Sequence, residues 1–128
     1  MSQQAAGDEP MAMPGYEALL CAFRHSGEAV FVTDSDNRIV SVNPAFTRLT
    51  GYTFAEVAGR DPKLLSSGRF SHEDYDALWK SVVEDGFWEG EIWDKRKDGT
   101  IYPKWLVIST VRDAAGKIAN FVASFNDI

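Results

Sequence analysis

The stretch from Gly86 to Val111, GFWEGEIWDKRKDGTIYPKWLVISTV, constrains the fold of this chain more than any other. It reads as two long strands meeting at Lys97-Asp98-Gly99-Thr100. Asp-Gly between two apolar-alternating runs predicts a hairpin with a two-residue primed turn, because that turn needs positive φ and Gly adopts it cheaply. The flanks carry Trp88, Ile92, Trp93, Ile101, Tyr102, Trp105, Leu106, Val107 and Ile108. Side chains of this kind suit a pleated, half-buried surface.

The rest of the chain supplies what such a hairpin must pack with. Residues 1–14 hold Gly7, Pro10, Pro14 and few large apolar groups, and read as a flexible tail. Residues 15–25 form an amphipathic flanking helix: Tyr16, Leu19, Leu20 and Phe23 recur at i, i+3, i+4, i+7. Residues 26–128 form the domain proper. Ala29–Thr33 and Arg38–Val42 read as strands around the turn cluster Asp34-Ser35-Asp36-Asn37. Asn43-Pro44 starts a helix, as cap and first residue, and Gly51 stops it. Thr53 and Glu56 are spaced as a capping box. Ser71 caps a longer helix to Glu84, with Tyr75, Leu78, Trp79 and Val82 on one face. A last strand, Lys117–Asn126, follows the turn Asp113–Gly116. Short connections force antiparallel neighbours, so the early and late strands share one sheet with the helices on one face, an α+β domain.

Charge and composition narrow the function. The 128 residues carry a net charge of -6, against the basic face that nonspecific nucleic-acid binding needs. No apolar run approaches the ~20 residues of a membrane span. Cys21 is the only cysteine, so no internal disulfide forms, which fits a reducing, cytoplasmic setting. His25 stands alone, without partners at metal spacing. No Ser/His/Asp set, paired carboxylates or Gly-rich phosphate loop converges on one face. The pattern points to a sensor or interaction module rather than an enzyme.

Three pieces in order, AVFVTDSDNRIVSVNPAFTRLTGYTFAEVAGR, RKDGTIYPKWLVISTVRDAAGKI and FNDI, resemble a PAS domain over Phe23 to Ile128. The resemblance implies a five-stranded antiparallel sheet of order 2-1-5-4-3, with a ligand pocket between sheet and helices. It implies a bacterial signal-transduction protein whose sensor relays through its last strand, leaving at Asp127, to a histidine kinase or cyclic-di-nucleotide enzyme such as a diguanylate cyclase. The alternative is a ligand-free dimerisation and protein-interaction module.

With that register, Trp88, Ile92 and Asp94 face inward, as do Leu106 and Ile108. The expected pocket lining adds Val32, Phe46, Leu49, Leu64, Leu78, Phe121 and Ala123. Trp93 and Trp105 face out, and with Tyr16, Leu19, Leu20 and Phe23 make a dimer or partner surface. The helix is expected to cover an outer sheet face or a second copy of itself.

The resemblance is nearest to flavin-binding redox regulators of nitrogen fixation, which implies FAD or FMN. Asp94 stands where those domains and the blue-light branch hold an Asn against the isoalloxazine edge. A carboxylate accepts from an N–H there but cannot donate to a carbonyl. Trp88 matches a Trp of the redox regulators. The photoactive cysteine of the blue-light branch has no counterpart near Asp61–Leu65. His72 resembles in place the proximal haem ligand of oxygen-sensing kinases, without their inward Arg, where Gly90 stands. Glu56 and Lys97 match a helix-to-hairpin ion pair of the family.

Overall fold

The computed structural model describes residues 15–128, so the expected tail at 1–14 lies outside the described residues. The elements are α1 (Tyr16–His25), β1 (Ala29–Asp34), β2 (Ile39–Val42), α2 (Pro44–Thr50), α3 (Phe54–Val57), a 3-10 turn (Pro62–Leu65), α4 (His72–Asp85), β3 (Phe87–Lys95), β4 (Ile101–Arg112) and β5 (Ile118–Asp127). The five strands form one antiparallel sheet of order β2-β1-β5-β4-β3, as the resemblance implied. No helix is long and apolar enough to cross a membrane among the described residues.

The hairpin departs from the expected turn in a way that sets the register. Lys95 pairs with Ile101, Arg96 N–H donates to Thr100 O, and Gly99 N–H donates to Arg96 O. Gly99 alone in the turn has positive φ, at 93°, so the loop is Lys97-Asp98-Gly99 and not a two-residue primed turn. The extra residue matters because side chains alternate with period two. A two-residue loop at Asp98-Gly99 would set Asp94 opposite Pro103 and turn Trp105 inward. The three-residue loop sets Asp94 opposite Tyr102 and Ile92 opposite Lys104. The other two hairpins close alike, with Asp34 and Asp113 receiving the chain from Arg38 and Lys117, and Asn37 and Gly116 at positive φ.

The inner face of the sheet carries the core. Phe31, Phe46 and Phe125 meet edge-to-face, with ring centroids 5.9–6.3 Å apart. Phe31 rather than Val32 points inward from β1. The run Ala29–Val32 is apolar throughout, so alternation could not choose its buried face.

Asn43 ties three elements together. Its Oδ1 accepts from Phe46 N, capping α2, and from Val30 N on β1. Its Nδ2 donates to Phe23 O at the end of α1 and to Glu28 O. The side chain is buried with its hydrogen-bonding capacity met. The capping box of Thr53 and Glu56 forms as expected. At the far end, Lys97 N–H donates to Thr50 O, Arg96 Nη1 to Leu49 O, and the Lys97 ammonium pairs with the Glu56 carboxylate. The hairpin tip is thus stitched to the ends of α2 and α3. α1 buries none of its residues and rests against α2 rather than across the outer sheet face.

Candidate functional site

Between the inner face of the sheet and the helices lies a cavity of about 530 Å³. That volume suits a ligand of cofactor size, since such pockets run roughly 300–1,000 Å³. Its sheet wall is Phe31, Ile92, Leu106, Ile108, Phe121 and Ala123; its helix wall is Leu65, Tyr75, Leu78 and Trp79. The mouth opens among the β1–β2 turn, the segment Asp61-Pro62-Lys63 and the start of α4.

One charged pair interrupts the apolar wall. Asp94 on β3 and Lys104 on β4 border the cavity, with Oδ2 and Nζ 2.5 Å apart. They are 5% and 2% exposed. The Lys104 ammonium also sits 3.7 Å from the centre of the Phe125 ring. Burial pushes the Lys104 amine below the usual lysine range, and the charge of Asp94 opposes that shift. Behind the pair, Tyr102 stands opposite Asp94, and the Arg96 guanidinium lies 3.9 Å over its ring. Burial first, and then the negative charge of Asp94, raises the Tyr102 phenol above its ordinary value. Arg96 reaches on to Asp127 Oδ2 at 3.5 Å, and Lys104 is itself the register partner of Asp127. A single strand width therefore separates the charged cavity wall from the end of β5.

Several expected residues fall into place here. Ile92, Asp94, Leu106, Ile108, Leu78, Phe121 and Ala123 border the cavity. Others do not. Phe46 is fully buried in the aromatic cluster beside it. Leu64 and Leu49 pack against the core from outside the cavity, and Leu65 takes the wall position. The segment Gly59–Gly68 has no period from which the inward leucine could be read. Trp88 folds back over Gly90 and meets Phe70, its ring centroid 6.2 Å away. A Cβ at Gly90 would stand 2.8 Å from the Trp88 indole, so this close approach requires glycine. His72 stands at the mouth with its side chain 91% exposed and Nε2 3.6 Å from Asp76 Oδ2. A haem ligand would have to enter the cavity, and this ring faces solvent. Asp94 pairs with Lys104. Lys104 is the residue that sequence reasoning missed. Its inward parity, shared with Leu106 and Ile108, was the available signal.

On the outer face Trp93 and Trp105 are 36% and 44% exposed, as alternation predicts. Their indole N–H groups donate to Glu91 and Glu89, each at 3.1 Å.

The comparisons agree with this architecture. The family model described as PAS domain matches residues 27–128. The nitrogen fixation regulatory protein of Klebsiella oxytoca is 32% identical over 100 residues, covering 78% of this chain and 20% of that protein. A blue-light-activated histidine kinase of Brucella canis is 33% identical over 93 residues, 73% of this chain and 19% of that protein. The chain thus spans about a fifth of the length of these relatives. Among solved structures, the PAS domain of a protein from Colwellia psychrerythraea superposes with a TM-score of 0.82 at 22% identity, covering 88% of this chain and 95% of that one. An RNA-binding light-oxygen-voltage receptor gives 0.78 at 30% identity, covering 92% of this chain and 33% of that one. With its sheet order, cavity and matched span in agreement, the chain belongs to the PAS domain family.

Proposed function

We propose that this domain is the sensory part of a signalling protein and holds a flavin nucleotide, FAD or FMN, in its central cavity. The observation that carries the reading is the buried Asp94–Lys104 pair on an otherwise apolar wall. The pyrimidine edge of an isoalloxazine presents an N–H between two carbonyls. Asp94 offers the acceptor, and Lys104 supplies the donor that a carboxylate lacks. Trp79, Phe121, Leu106 and Ile108 offer apolar surface to the ring system. A second concavity beside the mouth gathers Arg38, Arg60 and Lys63, and Lys63 borders both. Three cations there suit a nucleotide phosphate.

A bound flavin would supply reversible electron uptake. Residues 61–65 hold no thiol to add to it, and Cys21 is exposed on α1. The signal is then redox state or occupancy, passed from Lys104 and Arg96 to Asp127 and onward to a C-terminal output domain such as a kinase. The names of the relatives, a nitrogen fixation regulator and a blue-light-activated histidine kinase, support a regulatory role. One observation favours a ligand-free interaction module instead: Asp94 and Lys104 already satisfy each other.

The test is an absorption spectrum of freshly purified protein, followed by titration with FAD and FMN. A band at about 450 nm that survives desalting and is lost in the double variant Asp94→Leu/Lys104→Met, with the variant's circular dichroism unchanged, supports the reading. No band, and no rise in Tm with either flavin, leaves the interaction module.

A further inference from the structure

Lys104 is unlike the other lysines of this chain. Lys63, Lys80, Lys95, Lys97 and Lys117 are exposed, whereas Lys104 is 2% exposed and borders the central cavity. A primary amine on a cavity wall is a nucleophile once it is neutral. At neutral pH fewer than about one exposed lysine in a thousand is in that form. Burial works toward the neutral form of Lys104, against the charge of Asp94. The Asp94 carboxylate, 2.5 Å away, is in place to take the proton.

The surroundings select what such an amine would take. A ligand that merely drew Lys104 away would leave Asp94 buried and unpaired, which is costly. An aldehyde does not, because it turns the ammonium into an iminium and a cation still faces Asp94. Phe31, Tyr75, Trp79 and Phe121 line the cavity, and their rings suit an aryl body. The same apolar wall limits the water that would hydrolyse a C=N bond.

We infer that Lys104 captures an aryl aldehyde as a Schiff base, with Asp94 as proton carrier and counter-ion. Asp94 takes a proton from the Lys104 ammonium. The freed nitrogen lone pair bonds to the aldehyde carbon as the carbonyl π pair moves to oxygen. A proton passes from that nitrogen to the oxygen, giving a carbinolamine. Asp94 then protonates the hydroxyl, which leaves as water while the nitrogen lone pair closes the C=N bond. One water is released, nothing is oxidised or reduced, and the carboxylate again faces a cation. The inference shares the cavity of the flavin reading without resting on it, and the two ligands compete.

The test is reductive trapping on the full chain, washed free of any flavin, with naphthaldehyde and cyanoborohydride at neutral pH. Peptide mass spectrometry reads the site. Lys104 is expected to gain the naphthylmethyl group at least about tenfold faster than any exposed lysine, and to lose that lead in urea. Lys104→Arg keeps a buried cation but has no amine to trap, and is expected to be labelled only at exposed amines. Without reductant, the wild-type adduct is expected to absorb as the protonated iminium. In Asp94→Asn it is expected to absorb at shorter wavelength, as the neutral imine. A folded wild type whose Lys104 is labelled no faster than the exposed lysines would overturn the proposal. A neutral imine in the wild type would overturn the part given to Asp94. Saturation with FAD or FMN is expected to shield Lys104, and labelling that neither flavin slows would count against the flavin reading while this one stands.

Discussion

The carboxylate of Asp94 and the ammonium of Lys104 stand 2.5 Å apart on neighbouring strands, both nearly sealed from solvent, on the wall of the central cavity. Such a pair gains little over a well-packed apolar pair, because desolvation of both charges offsets their attraction. Removing one partner is different, since the other is left buried and unpaired. Lys104→Met is therefore expected to destabilise the domain by about 3–5 kcal/mol in urea unfolding. Adding Asp94→Leu to it is expected to recover most of that loss. A double variant as unstable as Lys104→Met alone would show that the pair is not the source of the cost.

Asn43 offers a second test. Alanine there removes the α2 cap and strands the amide N–H of Val30. Loss of a cap costs about 1 kcal/mol and an unsatisfied buried donor about 1–3. A total of roughly 2–4 kcal/mol is expected. Because Asn43 also holds Phe23 O, the amides of α1 are expected to lose what exchange protection they have, more than those of β4. Hydrogen exchange by NMR reads both.

The two sides of the core should respond unequally to truncation. Phe46 is enclosed by Phe31 and Phe125, and Phe46→Ala is expected to cost about 3–5 kcal/mol. Ile108 borders the cavity and has fewer neighbours to lose on that side. Ile108→Ala is expected to cost about 1–2 kcal/mol, below the usual range for a packed isoleucine. Equal losses in chemical denaturation would mean the cavity is closed around Ile108 in solution.

The hairpin clamp carries a pH dependence. The Lys97 ammonium, hydrogen-bonded to Glu56, and the Thr53 amide hold the Glu56 carboxyl below its ordinary value of 4.5. A depressed carboxyl stabilises the fold above its unfolded pKa, and the contribution is lost as pH falls through the folded value. Stability is thus expected to fall as pH drops below 4.5, and the drop should be smaller in Glu56→Gln. Urea midpoints at neutral and acid pH measure it. Identical acid limbs in the two proteins would remove Glu56 from the account.

Much of this molecule follows from local sequence. Asn43-Pro44, the Thr53/Glu56 box and Ser71 state their helix starts in residue chemistry, because a cap is satisfied within three residues. The alternation of β3 names Ile92 and Asp94 as inward and Trp93 as outward, because pleating leaves no other choice. The strand order followed from the family resemblance, not from alternation or caps. Tertiary structure decided the rest. Whether the loop at Asp98-Gly99 holds two residues or three rests on the backbone angles of a few turn residues, yet it sets the register of the whole hairpin. That register, with the inward parity of β4, brings Lys104 to Asp94 and so gives the cavity a donor beside its acceptor. Likewise Phe31 over Val32 and Leu65 over Leu64 were settled only by what the helices press against, since neither segment has a period of its own. Local chemistry fixes which elements form. The facing of two side chains ten residues apart depends on a turn whose geometry only the packed sheet selects.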